Sequence, residues 1–395
     1  MTYDAIIVGG GPAGSKAASL LAKDRNVLVI EEHATSGAPV HCTGLISDEA
    51  LRLSGVKPTV LNRLYGANII FPDGRSVTVR SKEHKAVLID RNELDTLMAE
   101  KARDDGAAYL YSARYVSHSV SDSTSDPLSD SAVRVTTDGA AISSSMIIGA
   151  DGRNSKVAAT IPDNAPAEYV RGIQADVRGK AGDDGMINIY VGSGTAPGFF
   201  AWEIPFGDMV RIGLCTSEAA GPPAAYLKRL LRATGHENGE TIAKYCGRIP
   251  LGGRRRTYAD NLLLIGDAAC HVKPISGGGL QPAFRSAYAL AETVAEAFDE
   301  GDLSEEFLSV YEKRWRRDVG RELRMGYRLR KMFTSLSDGE LNGAAGIIGK
   351  EHIRKILDGG DIDHPSDLLL RMMRHPLTML RLMPLMVTAG IRSIL

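Results

Sequence analysis

The sequence predicts a mixed α/β (α+β) protein in which a parallel sheet and an antiparallel sheet are interleaved along one chain. At residues 3–30 and again at 261–298, short apolar runs are followed by glycine-rich turns and helical patterns, which favours parallel strands. Residues 168–215 alternate apolar and polar positions, as in Val210–Leu214, which indicates antiparallel strands with one covered face. After Leu303 the pattern is helical. We therefore expect two interleaved sheets followed by a helical region.

Composition excludes several classes of protein. The chain has 395 residues, with 47 Lys and Arg against 48 Asp and Glu, and a near-zero net charge of −1 argues against a dedicated nucleic-acid binder. The cysteines (Cys42, Cys215, Cys246 and Cys270) form no Cys-x-x-Cys pair, so no metal site is predicted. No apolar run reaches the roughly 20 residues of a membrane span, and no basic leader precedes the first strand. We expect a cytoplasmic protein.

The first motif predicts a Rossmann-like dinucleotide site. A strand at residues 3–8 leads into Gly9–Gly14, a helix to about Lys23 and a second strand at 27–30. Gly9 permits the tight turn, Gly11 lets the backbone approach a pyrophosphate, and Gly14 lets helix and strand pack closely. The helix N-terminus offers free N–H groups to phosphates. At the end of the second strand, Glu31 is placed to accept hydrogen bonds from a ribose.

The remaining elements follow in order. Residues 88–103 predict a helix with Asp90 as its N-cap, and 107–137 predict strands interrupted by a solvated serine- and aspartate-rich loop at 117–126. A strand at 146–148 leads into Gly149-Ala150-Asp151-Gly152. A buried strand at 261–265 leads into Gly266-Asp267-Ala268-Ala269, and a helix from Leu280 to Phe298 follows Gly277-Gly278-Gly279. The segments at 149–152 and 266–269 each directly follow a predicted strand.

Three motifs, at Gly9–Gly14, Gly149–Gly152 and Gly266–Ala269, resemble in order and approximate spacing those of FAD-dependent oxidoreductases of the p-hydroxybenzoate hydroxylase type. The resemblance covers residues 1–300. The resemblance implies that the first motif binds the ADP pyrophosphate and that Arg91 contacts the cofactor. It also places Asp151 near the cofactor and the NAD(P)H path, and Asp267 on the ribityl or pyrophosphate part of FAD. The cofactor-binding residues so predicted are Gly9, Gly11, Pro12, Ala13, Gly14, Glu31, Glu32, Cys42, Arg91, Asp151, Gly266, Asp267, Gly277, Gly278, Gly279 and Leu280.

Two of these assignments also have a physical reason. Asp267 directly follows a buried strand, so its carboxylate is expected at the carboxyl end of a parallel sheet, where ligands bind. Taken alone, a Gly-Asp-Ala segment is equally typical of a helix N-cap. The glycines 277–279 precede a helix, so their N–H groups and the helix dipole can stabilise negative charge on reduced isoalloxazine.

The order of motifs predicts three regions. A discontinuous FAD-binding domain is expected over residues 1–60, 85–160 and 255–300. An antiparallel-sheet substrate domain is expected over 61–84 and 161–254, and a helical region over 301–395.

Two further runs, Pro39–Ser47 and Gly198–Pro205, resemble the cysteine loop and the aromatic-x-Trp-x-Phe-Pro motif of archaeal geranylgeranyl reductases. Ile204 replaces the usual Phe, and Thr43-Gly44 departs from the usual residues after the cysteine. The resemblance implies reduction of isoprenoid C=C bonds, as in digeranylgeranylglycerophospholipid, by reduced FAD. It implies an isoprenoid lipid as substrate, with NAD(P)H or a ferredoxin-type carrier as the electron donor.

Candidate residues near the reaction follow from this second resemblance. Phe199, Phe200, Trp202 and Pro205 are predicted to bind substrate, with Phe200 and Trp202 on one strand face and Phe199 on the other. An ordinary aromatic core is the alternative. Cys42 and His41 are predicted to donate a proton or to position the alkene, with His271 as a weaker candidate. A free cysteine, however, often packs simply as a small hydrophobe.

Three alternatives stay open on sequence. Residues 368–395 are rich in Arg, Met and Leu, which fits either a peripheral contact on the inner face of the cell membrane or a packed helix pair. The run Phe200–Pro205 comes within one residue of the Trp-x-Trp-x-Ile-Pro signature of flavin-dependent halogenases, so a halogenase or aromatic monooxygenase is the first rival. A non-catalytic prenyl-binding protein of the GDP-dissociation-inhibitor type is the second.

Overall fold

A computed structural model describes residues 2–39, 42–120, 133–350 and Asp363. The strands are β1 (Tyr3–Val8), β2 (Val27–Ile30), β3 (Leu45–Ile46), β4 (Val60–Leu64), β5 (Gly66–Ile70), β6 (Ser76–Arg80), β7 (Ala86–Ile89), β8 (Ala108–Leu110), β9 (Tyr115–Val120), β10 (Val133–Thr137), β11 (Ala141–Gly149), β12 (Glu168–Arg178), β13 (Met186–Tyr190), β14 (Ala201–Phe206), β15 (Met209–Ser217), β16 (Thr241–Leu251), β17 (Tyr258–Ala259) and β18 (Leu262–Leu264). The α-helices are α1 (Pro12–Leu21), α2 (Asp48–Ser54), α3 (Arg91–Asp104), α4 (Ala224–Ala233), α5 (Leu280–Glu300), α6 (Glu305–Trp315), α7 (Arg321–Thr334) and α8 (Asp338–Ile348).

The first sheet is largely parallel and places the three glycine-rich motifs side by side. Its order is β17-β18-β11-β1-β2-β8, and the β9–β10 hairpin extends from β11. Val8 lies opposite both Gly149 and Ile30, and Gly149 lies opposite Leu264. The strands therefore end at one edge, and the motifs that follow β1, β11 and β18 meet there.

Helices cover this sheet because its strands are apolar on both sides. The β1 residues Ile6 and Ile7 are both fully buried, in separate apolar clusters. The cluster that contains Ile7 also includes residues of α1, α5 and α6, among them the buried Tyr311. The predicted strands at 3–8 and 27–30 are confirmed, and α1 ends slightly before the predicted Lys23.

The second sheet has seven strands in the order β16-β12-β15-β14-β13-β5-β6. Its pairs are antiparallel except for β13 with β5, which run parallel. One face packs on α4 through Leu227 and Leu230, together with Ala201 and Ile212. The opposite face forms an apolar cluster with residues of the neighbouring elements, including Leu88 of β7. The predicted mixed fold is confirmed.

A small third sheet, β3-β7-β4, corrects two sequence predictions. Residues 88 and 89 end strand β7 and do not begin a helix, because α3 starts at Arg91 after its N-cap. Asp90 is that N-cap, as predicted, and its carboxylate accepts hydrogen bonds from the Asn92 and Glu93 N–H groups. Because β4 joins this sheet and β5 joins the second, residues 61–84 are shared between two sheets. The domain boundaries at these residues stay a prediction.

The helical region begins with α6 and α7, which are joined without a break by a π-helical turn at Arg316–Gly320. Strand β9 runs through Val120, so residues 117–120 of the predicted loop at 117–126 belong to a strand; residues 121–132 lie outside the described residues. The Arg/Met/Leu-rich segment 368–395 also lies outside them. Across the described ranges, no helix is both long and apolar enough to cross a membrane.

Candidate functional site

The turn after β1 requires glycine at two positions. Gly9 has φ +106°, and a Cβ there would collide with the Ala150 carbonyl of the second motif. A Cβ on Gly14 would collide with the Gly9 carbonyl. These contacts pack the first turn against the end of β11, so both glycines are needed by the protein itself.

Gly11 differs from its neighbours because a Cβ there would meet no protein atom within 4 Å. It is the N-cap of α1, with Pro12 next and no side chain capping the exposed N–H groups. The N-terminus of α1 therefore faces open space with unpaired donors and the positive end of its dipole. These residues fit the pyrophosphate of a dinucleotide.

Glu31 is held beside this turn. Its buried carboxylate accepts a hydrogen bond from the Gly10 N–H at 2.7 Å and from the His33 N–H at 2.9 Å. Its neighbour Glu32 behaves differently, because its half-exposed carboxylate pairs with Arg114 at 3.2 Å. The structure brings Glu31, but not the carboxylate of Glu32, to the glycine turn.

The third motif packs directly on the first. Gly266 has φ +67°, and a Cβ there would lie 2.6 Å from the Ala13 Cβ. Asp267 lies inside a short 3-10 turn, Gly266–Ala269, and caps no helix, so the N-cap alternative is wrong. Burial raises the pKa of its carboxyl, and Arg153 and Arg91 partly oppose this. Its Oδ1 lies 3.1 Å from the position of a Cβ on Gly279.

The glycines 277–279 lead into α5, whose first residue is Leu280 and whose N-terminus has no side-chain cap. A Cβ on Gly277, which has φ +74°, would lie 3.1 Å from Ile249 and 3.5 Å from the Phe199 ring. The end of this helix therefore faces both the Asp267 carboxylate and the aromatic residues of the second sheet.

The Asp151 side chain has mainly a structural role. Its carboxylate accepts hydrogen bonds from the Ser155 hydroxyl at 2.5 Å and from the Lys156 and Val157 N–H groups at 2.7 and 3.2 Å. These bonds close the turn after β11. Its backbone packs against Gly9, but its acceptors are taken by this turn.

Arg91 connects the cofactor side to the cysteine loop. The guanidinium is buried at the first position of α3 and forms a two-pronged ion pair with Asp95, at 2.8 and 3.0 Å. Burial by itself would lower the pKa of Arg91, but Asp95 and a hydrogen-bonding contact with Cys42 raise it above its ordinary value. The positive charge of Arg91 also acts to lower the pKa of Asp267, against the effect of burial.

Three side chains that sequence reasoning missed hold the cysteine loop. Gln174 of β12 donates to the Cys42 carbonyl and accepts from the Thr43 hydroxyl, each at 3.0 Å. Arg211 of β15 donates to the Thr43 carbonyl at 2.5 Å and forms a buried ion pair with Asp176 at 2.7 and 2.8 Å. The sequence signal was the presence of polar residues within strands. His41 lies outside the described residues.

The aromatic motif is arranged differently from the prediction. Phe199 and Phe200 precede β14, in a turn, and their rings stack with centroids 4.6 Å apart, so strand alternation does not separate them. Phe200 meets Trp202 edge-on at 6.0 Å. The expectation that Phe199 takes the opposite face is therefore wrong, because the strand begins only at Ala201.

Pro205 lies on the other face of β14. Trp202, Ile204 and Phe206 belong to the apolar cluster that faces the cofactor side, whereas Ala201 packs towards α4. Pro205 alternates with the first set and so shares the face of Ala201. It is not brought together with Phe199 and Trp202.

His271 is fully buried and lies behind the third motif. Its ring lies edge-on to Trp315 at 4.6 Å, and neither ring nitrogen has a hydrogen-bond partner among the described residues. Burial and the nearby Arg316 lower its pKa to about 3. It is therefore neutral at physiological pH, and no contact places it beside Cys42 or Phe199.

Comparison with known proteins agrees with this geometry. A family model described as an FAD binding domain matches residues 2–325. Digeranylgeranylglycerophospholipid reductase 2 of Methanothermobacter thermautotrophicus is 30% identical over 97% of this chain and 99% of that protein. The digeranylgeranylglycerophospholipid reductase of Methanothrix thermoacetophila is 31% identical over 90% and 94%, respectively.

Solved structures show the same fold. A geranylgeranyl bacteriochlorophyll reductase-like protein from Thermoplasma acidophilum superposes with a TM-score of 0.84 at 23% identity, covering 97% of this chain and 99% of that one. The halogenase PltM, solved with FAD, gives 0.69 at 17% identity over 94% and 85%. The chain is thus an FAD-dependent oxidoreductase that belongs to the FAD-binding domain family and, within it, to the digeranylgeranylglycerophospholipid reductases.

Proposed function

We propose that this protein saturates the C=C bonds of geranylgeranyl chains on archaeal-type membrane lipid precursors, with digeranylgeranylglycerophospholipid as the substrate class. The observation that carries the proposal is the close approach of the Gly277 turn to Phe199, whose ring would lie 3.5 Å from a Cβ on Gly277. It sets the start of α5, where FAD would be held, directly against an apolar wall of the second sheet.

FAD fits the residues of the first and third motifs. Gly11 and the N-terminus of α1 would hold its pyrophosphate, Glu31 its ribose and Asp267 its ribityl side. When bound and reduced, FAD supplies the hydride for the alkene. The open N-terminus of α5 stabilises the negative charge expected at that end of the site.

An isolated alkene is a poor hydride acceptor, so the protein must hold it close and exclude water. The wall formed by Phe199, Trp202, Ile204 and Ile249 is apolar, with the Arg330 guanidinium over the Phe199 ring at 5.0 Å. Phe200 stacks on Phe199 and fixes its ring. These residues therefore orient an apolar chain and keep the site dry.

Cys42 is the proposed proton donor for the second carbon of the alkene. Its Sγ lies within hydrogen-bonding distance of Arg91, and Arg211 is close enough to interact with Cys42 electrostatically. The bonds from Gln174 and Arg211 fix the backbone of residues 42 and 43 and so aim this sulfur.

The lipid substrate also implies a membrane contact and an electron donor, which we propose as a peripheral bilayer contact and either NAD(P)H or a ferredoxin-type carrier. The described residues contain no second glycine fingerprint of the Gly9–Gly14 kind, so a transient visit by NAD(P)H or a separate carrier protein would have to deliver the electrons.

An anaerobic assay tests the proposed function. The protein is reduced with dithionite, geranylgeranyl-glycerophospholipid is added, and flavin reoxidation is followed together with product mass. We expect the mass to rise by whole hydrogen pairs as the flavin absorbance returns. Reoxidation by oxygen alone, with a hydroxylated or halogenated aromatic product, would support the rival monooxygenase or halogenase function. Colourless protein that takes up no added FAD would support the prenyl-binding rival.

A further inference from the structure

We propose that the outer face of α7 is the surface through which this protein binds an anionic phospholipid bilayer. The proposal rests on the proposed function, since a lipid-chain reductase must draw its substrate from a membrane. It names the helix that makes the contact, and it does so independently of the C-terminal segment 368–395.

The outer face of α7 is a stripe of cations. Arg321, Arg324, Arg328 and Lys331 are all exposed and follow at intervals of three and four residues. At 3.6 residues per turn, they lie within an arc of about 80° and extend over about 15 Å of the helix. We call these four residues the basic stripe.

The charge of the basic stripe is not neutralised by nearby acids in the described part of the chain. Neighbouring arginines are paired: Arg314 with Glu296, Arg316 with Glu312 and Arg330 with Glu168. No ion pair among the described residues reaches the basic stripe, and the single acid of α7, Glu322, is only partly exposed. Such a row of unpaired cations attracts an extended anionic surface.

The inner face of α7 touches the candidate site. Gly326 and Arg330, both buried, lie on the opposite side of the helix from the basic stripe. A Cβ on Gly326 would lie 3.2 Å from Pro274 in the turn before α5, and the Arg330 guanidinium lies over the Phe199 ring at 5.0 Å. A bilayer on the basic stripe would therefore lie one helix diameter beyond the inner face of α7, about 15 Å from Phe199.

The shape of the stripe favours a bilayer over a single small anion. Its cations are spread along three turns, and they do not converge on one point. Met325 and Met332, both partly exposed, border the row along one side on the helical wheel. A basic helix face bordered by apolar side chains is the arrangement that lies on a lipid surface, with cations at the headgroups.

Vesicle binding tests the proposal with a matched pair of variants. Holoprotein is sedimented with phosphatidylcholine vesicles, with or without phosphatidylglycerol. The test variant is Arg324→Gln with Arg328→Gln. The control is Lys228→Gln with Arg229→Gln, which removes the same charge from exposed positions on α4, the helix on the far face of the second sheet.

We expect the wild type to bind the phosphatidylglycerol vesicles more tightly than the neutral ones, with binding weakened by salt. At about fivefold per removed cation, the α7 variant should partition about 25-fold more weakly, whereas the α4 variant should match the wild type. Flavin absorbance and thermal unfolding check that both variants are folded. Should the double variant fail to fold, Arg328→Gln alone is expected to show the single-residue loss.

Reduction of geranylgeranyl lipid dispersed in detergent reports the proposed function separately, and both variants should retain the wild-type rate there. Equal vesicle binding by the α7 and α4 variants, or wild-type binding that ignores salt and phosphatidylglycerol, would overturn the proposal. It would also be overturned if the α7 variant bound vesicles normally but accepted electrons poorly from an acidic carrier protein, since the basic stripe would then be a protein-docking face.

Discussion

The glycine turn after β1 and the cysteine loop before β3 border the same site, but different forces determine their shapes. The turn is set by backbone collisions that any side chain at Gly9 or Gly14 would cause. The loop is set by hydrogen bonds from Gln174 and Arg211, which lie more than 120 residues away on another sheet. The cofactor side is therefore rigid through local sterics, while the substrate side depends on tertiary packing.

Alanine substitutions in the glycine turn test this difference and have the largest expected effect. Gly9→Ala forces a positive φ and a backbone collision, so we expect the apoprotein to lose at least about 4 kcal/mol of stability. Gly11→Ala meets no protein atom, so the apoprotein should unfold at the wild-type temperature while FAD binding is lost. Thermal unfolding without FAD and flavin titration separate the two. Equal unfolding temperatures for both apo-variants would show that backbone sterics do not shape the turn.

Acid stability tests the interior behind the third motif. The pKa of His271 is about 3 in the folded chain against 6.5 when unfolded, so the unfolded state binds the additional proton as pH falls between these values. The free energy of unfolding should therefore decrease as the pH is lowered through this window, by up to roughly 5 kcal/mol in all. His271→Leu should remove that part of the slope and be the more stable protein at the acid end. Urea unfolding at a series of pH values measures it, and parallel curves for the two proteins would contradict the prediction.

Breaking the ion pair behind the cysteine loop tests the substrate side. Arg211→Met leaves Asp176 buried without its partner and should cost about 3–5 kcal/mol of stability. Arg178→Met is the matched control on β12, because Arg178 is half exposed and its pairs with Asp208 and Glu240 are worth about 1 kcal/mol or less.

The same variants report on Cys42. If Arg211 positions the loop, Arg211→Met should change the rate at which Cys42 reacts with a thiol reagent, and Arg211→Lys should restore part of it. Arg178→Met should leave that rate unchanged. An unaltered rate in Arg211→Met would leave the ion pair with a purely structural role.

The smallest expected effect concerns the apolar wall. Phe199→Leu keeps an apolar side chain but removes the ring beside Gly277, so KM for the lipid should rise a few-fold while flavin reduction is unaffected. Phe298→Leu removes the same ring near the C-terminal end of α5, where it packs against the cluster of Ile7 and Tyr311, and should leave KM unchanged. Equal KM values would show that Phe199 is core packing alone.

Much of the cofactor side could be predicted from sequence because its determinants are adjacent in the chain. The turn at Gly9–Gly14, the Asp90 cap of α3 and the placement of Asp267 after β18 each depend on a few consecutive residues. Predictions failed where a neighbouring element changed the local structure. Pairing with β3 and β4 made residues 86–89 a strand, and the turn before β14 put Phe199 beside Phe200.

The sequence by itself determined the mixed fold and the three glycine-rich motifs with their strands, because steric turns and strand patterns are local properties. Only the tertiary structure decided which side chains hold the cysteine loop, which face Pro205 takes and where the cations of α7 lie relative to Phe199. The physical reason is that buried ion pairs such as Arg211 with Asp176 join strands whose order is set by sheet pairing. A polar residue within a strand carries no record of its partner until that pairing is known.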